Sequence, residues 1–248
     1  MKKAFELFKD NFIKIFILSL MILLPVTIVQ EVLLLPFVPE LPQDASEEMI
    51  ASYYEDPRVL YALLGFLLLS MFTLLYRIGT IKLSFESLES RKIGINEIMD
   101  FSMRIWPKVM LTTILFAVFV AFGLMLFFLP GIVMCIMYFF YLHIVVLLEI
   151  WGRSTFAISS FYTKKIFSKT LAVIALWVVL QMMFNFAASV VKSAIPDEMI
   201  SNIAAAGILF VGQICATYTD ILAAVFVKET KLDIDISIFK KKKTNNNA

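Results

Sequence analysis

The positive charges of this chain fall almost entirely into alternate gaps between its apolar runs. Those runs lie near 12–37, 58–79, 109–129, 131–150, 170–191 and 202–227. At about 1.5 Å of rise per residue, each is long enough as a helix to cross a hydrocarbon core about 30 Å thick. With the N-terminus taken as the inner side, the inner segments hold Lys2, Lys3, Lys9 and Lys14, then Arg77 to Lys108, Arg153 to Lys169, and Lys228 to Lys243. They gather twenty of the 22 Lys and Arg residues and leave only Arg58 and Lys192 outside. A Lys/Arg bias of this kind sets the orientation of a multi-pass protein. The sequence therefore predicts an all-α integral membrane protein. Six transmembrane helices form three hairpins, with interfacial amphipathic helices and both termini cytoplasmic, in a cell membrane of the bacterial plasma-membrane type.

Composition agrees: the 248 residues are 60% hydrophobic, and the 17% that are charged cluster between the apolar runs. The expected organisation is one membrane domain over 1–230 and a basic, disordered cytoplasmic tail over 231–248. Within that tail, LDIDISIF alternates apolar and polar residues, which favours an extended segment. The first apolar run is too long for a cleavable signal, and no small-x-small site follows it. A net charge of +2 gives no reason to expect nucleic acid. The outer loop near 38–57 carries Glu40, Asp44, Glu47, Glu48, Glu55 and Asp56 with no base, whereas the inner side closes with Lys240 to Lys243. A basic run beside a bilayer meets anionic lipid headgroups. Cys135 and Cys215 both fall inside spans, where thiols act as small apolar fillers, and no disulfide is expected.

Residues 1–14 read as an amphipathic helix in the inner interface, with Phe5, Phe8 and Phe12 on one face. Pro25 removes a backbone donor from the first span and can kink it. The second span is expected to continue past Arg77 to Glu89, with a stop at Gly94 and an N-cap at Asn96. A short helix with Ile98, Phe101 and Ile105 follows, its wet face carrying an Asp100–Arg104 pair. Trp106 then sits at an interface. Pro130-Gly131 reads as a tight outer turn joining spans 3 and 4. A third amphipathic segment sets Ile158, Phe161, Tyr162 and Ile166 against Lys164, Lys165 and Lys169. An interfacial helix followed by a hairpin thus recurs three times, with an aromatic-x-Lys junction at Phe12, Trp106 and Phe167.

Several short stretches between about 77 and 230 carry a family resemblance. They are Leu129-Pro130-Gly131-Ile132, the run ending Val146-Leu147-Leu148-Glu149, the helix Ala157-Ile158-Ser159-Ser160, and the loop Gly94-Ile95-Asn96-Glu97-Ile98. In these the chain resembles a bacterial six-span family that includes the membrane domain of glycerophosphoryl diester phosphodiesterases. Enzymatic members of that family add a soluble phosphodiesterase barrel after the membrane part. The expectation here is a membrane module without the hydrolase.

Ionisable groups inside a span are costly, by roughly 2.5–3.5 kcal/mol at its centre, and so need a partner or a use. His143 in span 4 and Asp220 in span 6 lie at a similar depth, about 10 Å from the inner ends of their helices. A His143–Asp220 pair would satisfy both, as a structural hydrogen bond or, more sharply, as a proton-linked site. Gln181 and Asn185 share a face of span 5, and Gln213 shares a face of span 6 with Asp220. Amides in lipid usually bond across helices, and a substrate path is the alternative. Ala205, Gly212, Ala216, Thr219 and Ala223 give span 6 a small-residue stripe. Glu149 is expected to meet Arg77, Arg153 or another inner base, and Glu31 the outer headgroups.

The sequence contains none of the P-loop, zinc-protease or nucleophile-elbow patterns, and it suggests no metal or cofactor. The leading expectation is a non-enzymatic membrane protein with an accessory, transport-related or protective role in the cell envelope. A small proton-linked transporter using His143, Asp220, Asn185 and Gln213 comes second. A membrane enzyme acting on lipid headgroups comes last. Topology is directly testable. Reporter fusions after Ala51, Pro130 and Ser193 should read external, and those after Glu89, Ser160 and Asn247 cytoplasmic. An external signal at Ser160 overturns the six-span arrangement.

Overall fold

A chain in lipid has no water to satisfy its backbone, so each span must bond to itself. The computed structural model describes residues 1–39 and 46–230, and every regular element among them is helical. Six stretches are long and apolar enough to cross a membrane. We number the helices α1 (Lys2–Asp10), α2 (Phe12–Leu34), α3 (Glu47–Glu55), α4 (Pro57–Leu88) and α5 (Ile95–Leu126). They continue with α6 (Phe128–Met137), α7 (Tyr141–Leu148), α8 (Arg153–Lys165), α9 (Phe167–Ala194) and α10 (Glu198–Glu229). The fourth span is α6 and α7 together. The expected segment LDIDISIF and the rest of the tail lie outside the described residues.

α4 and α10 are the axis of the bundle. α4 packs on α2, α5, α7 and α10, while α10 also packs on α1, α2 and α9. Their buried residues concentrate towards one end: Leu74 to Phe85 on α4 and Ile214 to Val227 on α10. The same end carries a charged lattice, and we call it the basic end. Lys82 and Arg91 both bond the Glu86 carboxylate, at 2.6 and 2.8 Å. Glu89 is shared by Lys228 of α10 and Arg91. The Lys228 ammonium, helped by Arg91, holds the Glu89 carboxyl below its ordinary value of 4.5. Lys14 at the start of α2 donates to the Ile93 carbonyl at 2.8 Å. Towards the other end the helices expose apolar faces, such as Leu63, Leu68, Met125 and Phe186, as lipid-facing surfaces do. There Lys192 of α9 meets Glu31 of α2 at 2.6 Å, so Glu31 is taken up by an ion pair and is not left to reach for headgroups.

Several boundaries correct the sequence reading. α4 runs unbroken to Leu88, as expected, but its stop is Ser90 at φ 60°, not Gly94. The amides of Arg91 and Ser90 turn back to the Glu86 and Ser87 carbonyls at 3.0 and 3.1 Å, a complete Schellman closure. Gly94 precedes α5 as its N-cap without a side-chain bond, and Asn96 lies inside the first turn. The predicted short helix over 98–105 is not separate. Ile98, Phe101, Ile105, Val109 and Thr112 form one buried stripe that carries α5 straight through Pro107. Only one backbone bond is lost there, and Trp106 Nε1 anchors the region by donating to the Met71 carbonyl at 2.8 Å. Arg104 reaches Glu149 at 3.1 Å and does not pair with Asp100.

Helix α2 absorbs Pro25 by widening. The Leu24 amide skips to the Ser19 carbonyl, five residues back, so the turn Ser19–Leu23 is a π-turn. A second π-turn covers Val29–Leu34. Such turns arise where the ordinary bonding ladder is interrupted. The fourth span breaks outright at Tyr138–Phe140. Its freed carbonyls are satisfied from α8: Thr163 Oγ1 donates to Met137 O at 3.1 Å, and Ser159 Oγ to the same oxygen at 3.3 Å. α8 is therefore packed into the bundle by Phe156, Ile158, Ser159, Tyr162 and Thr163, whereas Phe161 faces out. In α1 it is Ala4 that is buried, and Phe5 is exposed. Phe8 meets Tyr218 edge-on with ring centres 6.3 Å apart. The three aromatic-x-Lys junctions do not share a geometry: the chain breaks at Asn11 and Ile166 but passes helically through Pro107.

The α5–α6 reversal occurs at Phe127, whose backbone is extended at φ −158° and ψ 141°. Pro130 and Gly131 are not the turn. They sit in the first turn of α6, where Pro needs no N–H partner. Gly131 is instead a point of close approach. A methyl there would lie 2.4 Å from the Leu124 side chain and 2.8 Å from its amide, and one on Gly123 would lie 3.0 Å from the Gly131 Cα. Small residues let helices approach this closely. Gly131→Val should therefore destabilise the protein by about 1–3 kcal/mol through overpacking. Gly207→Ala meets nothing within 4 Å and should leave the melting temperature unchanged or raised. Thermal unfolding in detergent checks both, and an unchanged melting temperature for Gly131→Val contradicts the close approach.

Candidate functional site

Helix periodicity brings polar residues of four helices to one place. Thr27 and Gln30 are one turn apart on α2, and Thr73, Tyr76 and Arg77 share a face of α4. Gln181 lies one turn beyond Trp177 on α9, and Gln213, Ala216, Thr217 and Asp220 follow the i, i+3, i+4, i+7 pattern on α10. With Leu23 these residues line a cavity of about 240 Å³ between α2, α4, α9 and α10. Of the small-residue stripe of α10, Ala216 lines the cavity, while Ala205, Gly212, Thr219 and Ala223 are buried in helix contacts, with Phe184 of α9 packed directly over Gly212.

Among the described residues, the only formal charges in the lining are Arg77 and Asp220. Arg77 Nη2 donates to Asp220 Oδ1 at 2.7 Å and Nε to Oδ2 at 3.1 Å, a two-pronged bond across α4 and α10. Asp220 is the more enclosed partner, with 12% of its side chain accessible against 41% for Arg77. Beside the pair, Thr217 Oγ1 donates to the Gln213 carbonyl at 3.0 Å, so its single proton is committed. The Tyr76 hydroxyl, 2.7 Å from Thr217 Oγ1, is then the donor of that bond. No hydrogen bond to another described residue engages the side-chain amides of Gln30, Gln181 or Gln213, which offer donors and acceptors to the cavity. Among the described residues there is no cluster of three or more His, Cys, Asp or Glu able to hold a metal.

His143 and Asp220 do touch, but not as the sequence reading had it. His143 Nε2 donates to the backbone carbonyl of Asp220 at 3.0 Å, while the carboxylate turns to Arg77. The imidazole is 1% exposed, lies outside the cavity lining, and leaves Nδ1 without a partner among the described residues. There is thus no direct proton path from His143 to the carboxylate. Asn185 also falls away from the site, its Nδ2 bonding the Gln181 carbonyl one turn back at 2.7 Å. The amides do not bridge helices as expected: Gln181 and Gln213 face the cavity. Glu149 meets Arg104 at 3.1 Å, which is the other inner base that the sequence reading allowed beside Arg77 and Arg153. Cys135 and Cys215 are both free.

Arg77 was the residue that sequence reasoning misplaced. A span ending near 79 puts it among the inner bases. The helix runs on to Leu88, as expected, which sets Arg77 about 16 Å inside its end, but there the guanidinium meets Asp220 of α10 and not the other inner charges. The spacing of Thr73, Tyr76 and Arg77, matched to Gln213, Thr217 and Asp220, was the available signal. Comparison of the chain with protein-family models, with curated proteins and with solved structures returns no match.

Removing one member of a buried ion pair strands the other and costs about 3–5 kcal/mol. Arg77 keeps some access, so the lower end of that range applies. Arg77→Leu and Asp220→Leu should each destabilise the protein by about 3 kcal/mol, and the double variant by much less than the sum. His143→Leu should add independently to Asp220→Asn, because its bond is to the backbone. Thermal unfolding of the double-mutant cycles tests both points. A coupling above about 1 kcal/mol between His143 and the Asp220 side chain contradicts this geometry.

Proposed function

We propose that this is a non-enzymatic, transport-related protein of a bacterial-type cell membrane, and that its working part is the cavity around Arg77 and Asp220. One observation carries the reading: a cavity lined by an ion pair, three amides and four hydroxyl side chains lies among four helices long and apolar enough to cross a membrane. A pocket of this polarity is costly to keep against lipid unless it meets a polar ligand or water. Interrupted helices beside the site, α2 with its π-turns and the broken fourth span, resemble the discontinuous helices that transporters use near their binding sites. His143 drops out of the proton-linked version, since it does not meet the carboxylate.

The orientation belongs to the same proposal. The basic end of the bundle is taken as cytoplasmic, against anionic headgroups, because nearly all Lys and Arg lie in the segments assigned to it. The resemblance to the membrane domain of glycerophosphoryl diester phosphodiesterases suits an accessory module of the envelope that lacks the hydrolase.

Labelling tests the central claim. In a Cys135→Ala, Cys215→Ala background, Gln213→Cys should react in intact membranes with a small water-soluble methanethiosulfonate. Phe210→Cys, on the packed side of the same helix, should not. A Gln213→Cys variant that folds but stays unlabelled from both sides contradicts an accessible transport cavity.

A further inference from the structure

The arrangement of charge in the cavity points to a class of ligand, and this step rests on the proposed function above. We infer that the cavity binds a small zwitterion of amino-acid size, which exchanges the Arg77–Asp220 bond for one bond to each of its own charges.

The argument is one of charge balance. Among the described residues, Arg77 and Asp220 are the only charged ones in the lining, and they satisfy each other at 2.7 and 3.1 Å. An anion that displaced Asp220 from Arg77 would strand the carboxylate, with its side chain only 12% accessible, and one held by the free donors alone would leave the site with an excess negative charge. A cation that took Asp220 would strand the guanidinium. Either leaves an unpaired charge in a low-dielectric site, the outcome such sites tolerate least. A zwitterion brings both charges: its carboxylate takes the guanidinium fork and its ammonium takes Asp220, so nothing is left unpaired at any stage of the exchange. The fork geometry suits a carboxylate, and three donors on Arg77 are free before any bond breaks, because Asp220 uses only two of five. The unengaged amides of Gln30, Gln181 and Gln213 can serve the remaining polar atoms of the ligand. A volume of about 240 Å³ limits its size.

The test uses the full chain in lipid nanodiscs, with the fluorescence of Trp177 in the cavity wall as the reporter and Trp177→Phe as the blank. The probes are glycine, L-alanine and L-glutamine, then propionate and ethylammonium, which each keep one charge, then uncharged glycerol and acetamide. At least one zwitterion should give a saturable change. Propionate and ethylammonium should bind at least about a hundred-fold more weakly, the penalty for one stranded charge. Asp220→Asn should then admit propionate, and Arg77→Gln should admit ethylammonium. If those variants do not fold, the selectivity of the unaltered protein decides alone. Propionate or ethylammonium binding as tightly as the zwitterions overturns the inference. So does saturation by glycerol or acetamide only, which leaves the transport reading standing. Silence towards every probe overturns it too. If Gln213→Cys is then labelled, the cavity reading survives, and if it is not, both fall.

Discussion

The structure turns on one ion pair that joins two long apolar helices. Arg77 and Asp220 bind two-pronged across α4 and α10, and those two helices touch nearly every other part of the bundle. Placing either charge in lipid alone is costly, so each helix is held in register by its partner. The surrounding contacts follow that register. Thr217 receives the Tyr76 hydroxyl one turn away, and His143 buttresses the Asp220 carbonyl from α7. At the ends of the same two helices Glu89 and Lys228 close the basic end. Arg77 is twelve residues from Glu89 and Asp220 is eight from Lys228, roughly 18 and 12 Å along their helices.

Much of the fold was legible because hydropathy and Lys/Arg placement are strong signals. Length and apolarity alone located six spans, and the structure has six stretches that meet those criteria. Other features depended on tertiary contacts that a single sequence does not show. Pro130-Gly131 looked like a turn, yet the chain reverses at Phe127 because Gly131 is needed where α6 presses on Gly123 and Leu124. The fourth span looked continuous over 131–150, but hydroxyls of Ser159 and Thr163, more than twenty residues away, replace the missing bonds at its break. Gly94 looked like a stop, and Ser90 took the left-handed position one turn earlier.

The site divides the same way. Asp220, Gln181 and Gln213 were singled out because each is a polar residue in an apolar run, and the structure brings them to one cavity. Their depth relative to one another was readable from helix geometry. Their partners were not. Depth matched His143 to Asp220, but rotation about the helix axis decides which atom faces which, and the imidazole found the carbonyl. Arg77 was counted among the inner bases, and nothing in the sequence paired it with Asp220 on a helix 143 residues away. A polar group's position in a span limits its choice of partners without selecting one.

The pairing also has a history in each molecule. Arg77 and Asp220 are 143 residues apart in sequence. At a synthesis rate of about 5–20 residues per second, the arginine waits roughly 7–30 s for the aspartate to be made. During that interval α4 carries a guanidinium without its carboxylate, and a long arginine stem lets such a group reach towards the headgroups. The bond between α4 and α10 is therefore among the last that the bundle can make, and a chain that stops before α10 leaves Arg77 without its carboxylate.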